Sequence, residues 1–265
     1  MRSATLAAVL ALAVAAVAPS AGADSEATTV ITDAAGDANF VNGNGLSSLA
    51  PTDGVDTRPA SIAGADLRSV DFSTPYDTIK VYNQDGTVSQ VLYSPKAFRV
   101  RLQMEGDVMP TFGPTIIVRI LTNIAGCDVW FQAIIRGSNP DAAADPHRAD
   151  IRLPAAASCP GNAAVLSIAN GFTLDVSGKT VTMTYPFEAF TGNHAGWIKP
   201  GTQIDPDGSF LNNANTPHVR PWLTSLGVTV PSIDETARPQ AFVVGSDVPQ
   251  TLVCSQQPAH PDCQP

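Results

Sequence analysis

The chain has 265 residues, a formal net charge of −9 at pH 7, 15% charged residues and a 44% hydrophobic fraction. That balance excludes a basic nucleic-acid binder, whose affinity would come from cations meeting phosphates. The chain is also too apolar and too sparsely charged for a disordered one. Past the N-terminus, no stretch stays apolar for the ~18 residues that a membrane-spanning helix needs.

Met1-Arg2-Ser3 supplies a positive start, Ala4 to Ala18 is a run built almost wholly from Ala, Leu and Val, and Ala21-Gly22-Ala23 is a small-x-small cleavage signature. Residues 1–23 are expected to be a secretory signal peptide, because an apolar run of ~15 residues is short for a span. The product is then secreted, with residues 24–245 as one β domain and 246–265 as a Pro-rich tail. No C-terminal apolar stretch offers an anchor.

Past the signal peptide, no segment sustains the i, i+3, i+4 apolar spacing of a helix. Period-two patterning predicts strands instead. Short candidates are Thr29–Thr32, Leu67–Ser73, Thr78–Tyr82 and Val88–Tyr93, the last two separated by Asn83-Gln84-Asp85-Gly86, a turn sequence. From Phe98 to Glu105 apolar residues hold the even positions through Met104, which gives one buried and one wet face. Thr115–Leu121 and Val129–Ile135 are continuous apolar runs that read as central strands covered on both sides, with Trp130 in the core. Ala163–Ile168, Phe172–Val176, Lys179–Phe187, Val228–Val230 and Ala241–Val244 complete the set. Long irregular loops are expected at Asn39–Ala65, Gly137–Asp150 and Thr191–Pro221. So many short strands with short connections predict an all-β fold, a two-sheet antiparallel β-sandwich, with a closed barrel as the competitor.

Cys127, Cys159, Cys254 and Cys263 form an even set, which in an exported chain predicts two disulfides. Of the three pairings, Cys127–Cys159 would close a loop across the domain and Cys254–Cys263 would tie off the tail. No C-x-x-C pair and no histidine at ligand spacing supports zinc.

Asp33, Asp37, Asn39, Asn42 and Asn44 crowd one short stretch spaced by Gly36, Gly43 and Gly45. Convergent oxygens of this kind suit a hard cation such as Ca²⁺, and Asx-rich turns use the same residues without metal. The stretch is no EF-hand, because no Glu closes it. With the later Ala65-Asp66-Leu67-Arg68-Ser69-Val70-Asp71-Phe72, it resembles the opening of the DOMON-like β-sandwich superfamily. The likeness is greatest to the C-terminal modules of glucodextranase-type enzymes, which are similar to family-nine carbohydrate-binding modules and share a jelly-roll-like sandwich. Tyr185-Pro186-Phe187 and Gly201-Thr202-Gln203-Ile204 match later parts of the pattern. The resemblance implies a structural calcium held by Asp33, Gly36 (backbone), Asp37, Asn39 and Asp66. Ala34 replaces the family's usual proline there, and Phe40 a common glycine.

Asp205-Pro206-Asp207-Gly208 is either a second cation loop or a tight turn. His147, His194, His218 and His260 lie in Pro/Asn/Gly-rich loops as surface residues, with no H-E-x-x-H among them. Haem, which some DOMON relatives bind through Met and His, would call on Met104, Met109 and His194; core packing of the methionines is the simpler expectation. No G-x-S-x-G occurs. Glu26, Glu105, Glu188 and Glu235 are all the glutamates, so a paired-carboxylate glycosidase has few acids to draw on. Trp197 and Trp222 fall in polar loops and are candidate sugar platforms or plugs of the sandwich end. The expectation is a secreted, monomeric, non-catalytic, calcium-stabilised domain that meets a polysaccharide or cell-envelope component. A carbohydrate-binding module and a secreted hydrolase are the alternatives.

Overall fold

The computed structural model describes residues 27–32, 67–108, 115–135, 147–153, 159–160, 165–166, 171–204, 219–225, 228–229 and 241–264. In chain order the first strands are β1 (Thr28–Thr32), β2 (Leu67–Ser73), β3 (Tyr76–Tyr82), β4 (Val88–Pro95), β5 (Ala97–Met104), β6 (Thr115–Ile124), β7 (Cys127–Ile135) and β8 (Arg148–Arg152). There follow β9 (Val165–Leu166), β10 (Thr173–Ser177), β11 (Thr180–Pro186), β12 (Gln203–Ile204), β13 (Val219–Ser225), β14 (Val228–Thr229), β15 (Phe242–Val243) and β16 (Leu252–Val253). The fold is all-β, and the described residues form two compact units.

The larger unit, Asp24–Tyr76 with Pro95–Val248, holds a five-stranded sheet ordered β1-β2-β5-β11-β10 and a six-stranded sheet ordered β14-β13-β6-β7-β8-β9. Pairing is antiparallel throughout both. Alternation decides which face each strand buries. On β5 Phe98, Val100, Leu102 and Met104 are essentially inaccessible, while Arg99, Arg101 and Gln103 turn outward. On β11 Val181, Met183 and Tyr185 turn in between threonines. The inner faces of the two sheets share one core: Phe98 meets Phe72 edge-on at 5.1 Å, Phe131 at 5.4 Å and Tyr185 at 6.2 Å. Burial of these aromatic rings is the chief force joining the layers, worth roughly 25 cal/mol per Å² removed from water.

Hairpin chemistry fixes register locally. Ile124 pairs with Cys127, so Ala125-Gly126 is a two-residue loop, and both residues have positive φ (52° and 83°), the type I′ arrangement. Asn123 accepts from the Gly126 N–H and donates to Asp128 across the turn. Alanine carries a steric penalty in that conformation and asparagine little. Ala125→Asn is therefore expected to raise stability by about 0.5–1 kcal/mol, read from urea midpoints; an unchanged midpoint would contradict the turn assigned here. The β10–β11 turn places Gly178, φ 55°, where a type II′ loop requires it.

The smaller unit comprises Asp77–Ser94 and 249–264 within the described residues. Its sheet runs β16-β4-β3, with Leu252 opposite Val91. Val88, Val91, Leu252, Cys254 and Cys263 make its small core under Tyr82 and Tyr93. The Tyr93 hydroxyl donates to Asp262 at 2.7 Å, and Lys80 Nζ donates to the Gln264 carbonyl. At the β3–β4 turn, Thr87 donates to Asp85 through both its amide and its hydroxyl, which holds that carboxyl below its ordinary value.

The predicted cysteine pairs are the observed disulfides, Cys127–Cys159 and Cys254–Cys263. Several expectations need correction. The loop assigned to Gly137–Asp150 ends in strand, since β8 begins at Arg148. The stretch Thr191–Pro221 contains a 3₁₀ turn at Gly192–His194, the strand β12 and the start of β13. Within the Pro-rich segment beyond 245, which the Cys254–Cys263 disulfide closes, Leu252 and Val253 also extend a sheet. Trp130 is half-buried rather than core: Val129 and Phe131 turn inward, which sends it to the opposite face.

Candidate functional site

Asp33, Gly36, Asp37, Asn39 and Asp66 lie outside the described residues, as do Asp205 and Asp207. The strand ends that bound the acidic loop are described. Thr32 closes β1 opposite Ser69, and Leu67 opens β2, so both ends of the segment 33–66 are anchored at the same end of two neighbouring strands. Among the described residues no group of three or more His, Cys, Asp and Glu side chains could hold a metal.

The two loop tryptophans have separate fates. Trp197 follows the 3₁₀ turn Gly192–His194 and is half-buried against the core, with Phe190 edge-on at 6.3 Å and the His194 ring at 6.5 Å. Thr202 donates to its carbonyl, and the Trp197 N–H donates to that of His194, so the turn is tied down around the ring. Trp222 is on a strand rather than a loop, with its backbone opposite Ile117. His194 is half-buried, and its Nε2 is closed off from solvent. Met104 is 1% exposed and belongs to the core.

A buried polar group that sequence reasoning missed sits in the six-stranded sheet. Asp150 and Gln132 are both 0% exposed and face each other across β7 and β8. The Asp150 carboxylate accepts from Arg148 Nε at 3.2 Å and Gln132 Nε2 at 3.4 Å. A buried carboxylate persists only with donors of this kind. Burial, with a smaller push from the Asp150 charge, drives the Tyr185 phenol well above its ordinary value; it donates to Met183 Sδ.

The outward face of the five-stranded sheet is the feature with ligand-binding character. Register lays its side chains out in rows. One row runs Thr29, Asp71, Arg101, Thr182, Asp175; the next runs Ser73, Arg99, Thr184, Thr173; a third brings Ser69, Gln103, Thr180 and Ser177 together. Rows lie about 7 Å apart along the strands and columns about 4.8 Å across them. The Asp71 Oδ2 takes both Nε (3.2 Å) and Nη2 (3.0 Å) of Arg101, and Oδ1 takes the Thr29 hydroxyl at 2.8 Å. Thr180 donates to Gln103 at 3.0 Å. Ala27, Ser73, Arg99, Arg101, Ser177, Thr180 and Thr182 line an open depression of about 360 Å³. At the sheet margin Arg68 pairs with Glu105 at 2.8 Å, a half-exposed contact of little energetic weight. Such a face offers many directed donors and acceptors and two guanidiniums, that of Arg101 held by Asp71, to a polar ligand.

Fold and surface define a disulfide-bonded, all-β sandwich with a polar sheet face. Compared with family models, with curated proteins and with solved structures, the chain finds no match. Among the described residues no helix is long and apolar enough to cross a membrane.

Proposed function

We propose that this chain is a secreted, non-catalytic, calcium-stabilised β-sandwich that binds a polysaccharide or other cell-envelope polymer, acting as a carbohydrate-binding module. The observation that carries the proposal is the outward face of the β1-β2-β5-β11-β10 sheet, where serine, threonine, aspartate, glutamine and arginine side chains form contiguous rows, one of them across all five strands. A solvated sheet face needs no such fixed guanidinium–carboxylate–hydroxyl array; a polyhydroxylated ligand does, because each sugar hydroxyl seeks both a donor and an acceptor. The two disulfides favour an extracellular setting. Co-sedimentation with a panel of insoluble polysaccharides tests the proposal. The purified chain is expected to pellet with at least one of them and to release no reducing ends from it. Release of reducing ends would make it a hydrolase, and a chain that stays in the supernatant with every polymer would contradict the binding role.

Calcium is the second part of the proposal. What supports it is that Thr32 and Leu67, which flank the acidic segment in the chain, lie at one end of the β1–β2 pair. An ion bound only by the folded state, at ~100 times its Kd, stabilises it by about 2.7 kcal/mol. EDTA is then expected to lower the Tm by roughly 5–10 °C, with recovery on adding excess Ca²⁺. A melting curve indifferent to both would remove calcium from the account and leave the binding surface standing.

A further inference from the structure

We infer that the depression bordered by Ser73, Arg99, Arg101, Ser177, Thr180 and Thr182 recognises a carboxylate-bearing sugar unit of an acidic polysaccharide, with Arg101 contacting the carboxylate. This rests on the reading of that sheet face as the ligand surface, and it names both the residue and the ligand class.

Among its described residues the lining holds two guanidiniums and no carboxylate, although the whole chain is acidic. Asp71 clamps Arg101 along one edge, through Nε and Nη2, and Nη1 takes no part in that pair. The clamp is braced in turn by Thr29. The Arg101 side chain remains 48% exposed while that of Asp71 is 11% exposed, so an incoming group meets the cation and not its counter-ion. Fixing a guanidinium in advance lowers the entropy lost on binding and presents its planar fork to a carboxylate. Arg99 extends from the same face two residues away, roughly 7 Å along the strand. Asp175, another acid of this face, stands two strands from Arg101, about 10 Å off, and Asp107 lies beside Gly178 at the β10–β11 turn.

A bare anion would use the guanidiniums and leave the hydroxyl side of the depression idle. Ser177, Thr180 and Thr182 sit on adjoining strands, with Ser177 directly opposite Thr180, and supply partners for ring hydroxyls next to the charge. Outward positions of β5, β10 and β11 carry no aromatic residue, so recognition would proceed by hydrogen bonds and charge rather than ring stacking.

Affinity electrophoresis of the intact purified chain in gels containing polygalacturonate, dextran or polyglutamate tests the inference. Polygalacturonate is expected to retard the chain at least tenfold more strongly than dextran or polyglutamate. Arg101→Gln is expected to weaken that retardation about tenfold or more, the loss of a charge-assisted hydrogen bond, and Arg101→Lys to restore little of it because the fork is gone. Since Arg101→Gln also leaves Asp71 without its partner, Thr182→Val serves as a second variant, with a several-fold loss expected and no ion pair disturbed. Equal retardation by dextran, with Arg101→Gln and Thr182→Val indifferent, would overturn carboxylate recognition here and leave a neutral glycan surface. Equal retardation by polyglutamate would overturn it as plain charge attraction. No retardation by any of the three would overturn the inference, while pelleting with some other polysaccharide would keep the broader binding role alive.

Discussion

Replacing Cys127 and Cys159 together by alanine is expected to lower stability by about 3–4 kcal/mol. The bond spans 32 residues of chain, and opening it returns that closure entropy to the unfolded ensemble. Both sulfurs also belong to the inter-sheet core, at 0% and 8% exposure, so the double variant loses packing as well. Removing Cys254–Cys263, which spans 9 residues, has a closure term smaller by about 1 kcal/mol. Urea denaturation of both double variants against the parent checks the order. A Cys127/Cys159 loss equal to or below that of Cys254/Cys263 would contradict the role of the longer link as the brace of the larger sandwich.

Phe98→Ala is expected to cost about 3–5 kcal/mol. Phe98 is wholly buried and lies within ring-contact distance of Phe72, Phe131, Tyr185 and Phe242. Its truncation therefore opens a cavity where the two sheets meet, and surrounding rings cannot collapse into it without leaving their own contacts. Phe190→Ala should cost less, because its neighbour Trp197 is only half-buried and can shift toward the space that Phe190, 3% exposed, leaves. A loss below ~1.5 kcal/mol for Phe98→Ala would mean that the sheets do not pack through this cluster.

Strand alternation was plain where the chain keeps to it. Phe98 to Met104 and Thr180 to Tyr185 read as half-buried strands directly from residue order, and both are so. The strands β8 and β13 were harder for identifiable reasons. In β8 the burial pattern covers three successive residues, and one of them is Asp150, a charge that normally signals solvent. Donors such as Arg148 and Gln132, the second on another strand, make that burial tolerable. In β13 Pro221 reads as a breaker, yet β14 pairs only with Thr224 and Ser225, so the proline sits on an edge of the described sheet where a missing N–H does no harm.

The candidate site was legible in its parts and not as a site. Arg99 and Arg101 read as the wet side of one strand, and Thr180 and Thr182 as the wet side of another. That these strands are neighbours follows from the order β2-β5-β11-β10, which sequence order does not reveal. Trp197 and Trp222 read as sugar platforms or as plugs of the sandwich end because both lie in polar, Pro/Gly-rich sequence. Contact with Phe190 turns the first toward the core, and backbone pairing with β6 places the second in a sheet.

The most direct measurement is a two-dimensional amide NMR titration of the ¹⁵N-labelled chain with an oligogalacturonate. Shift changes clustering on Arg99, Arg101, Ser177, Thr180 and Thr182 are the result expected if the polar sheet face takes the ligand. Changes confined to residues 192–198 around Trp197, with those five amides unmoved at saturation, would contradict it.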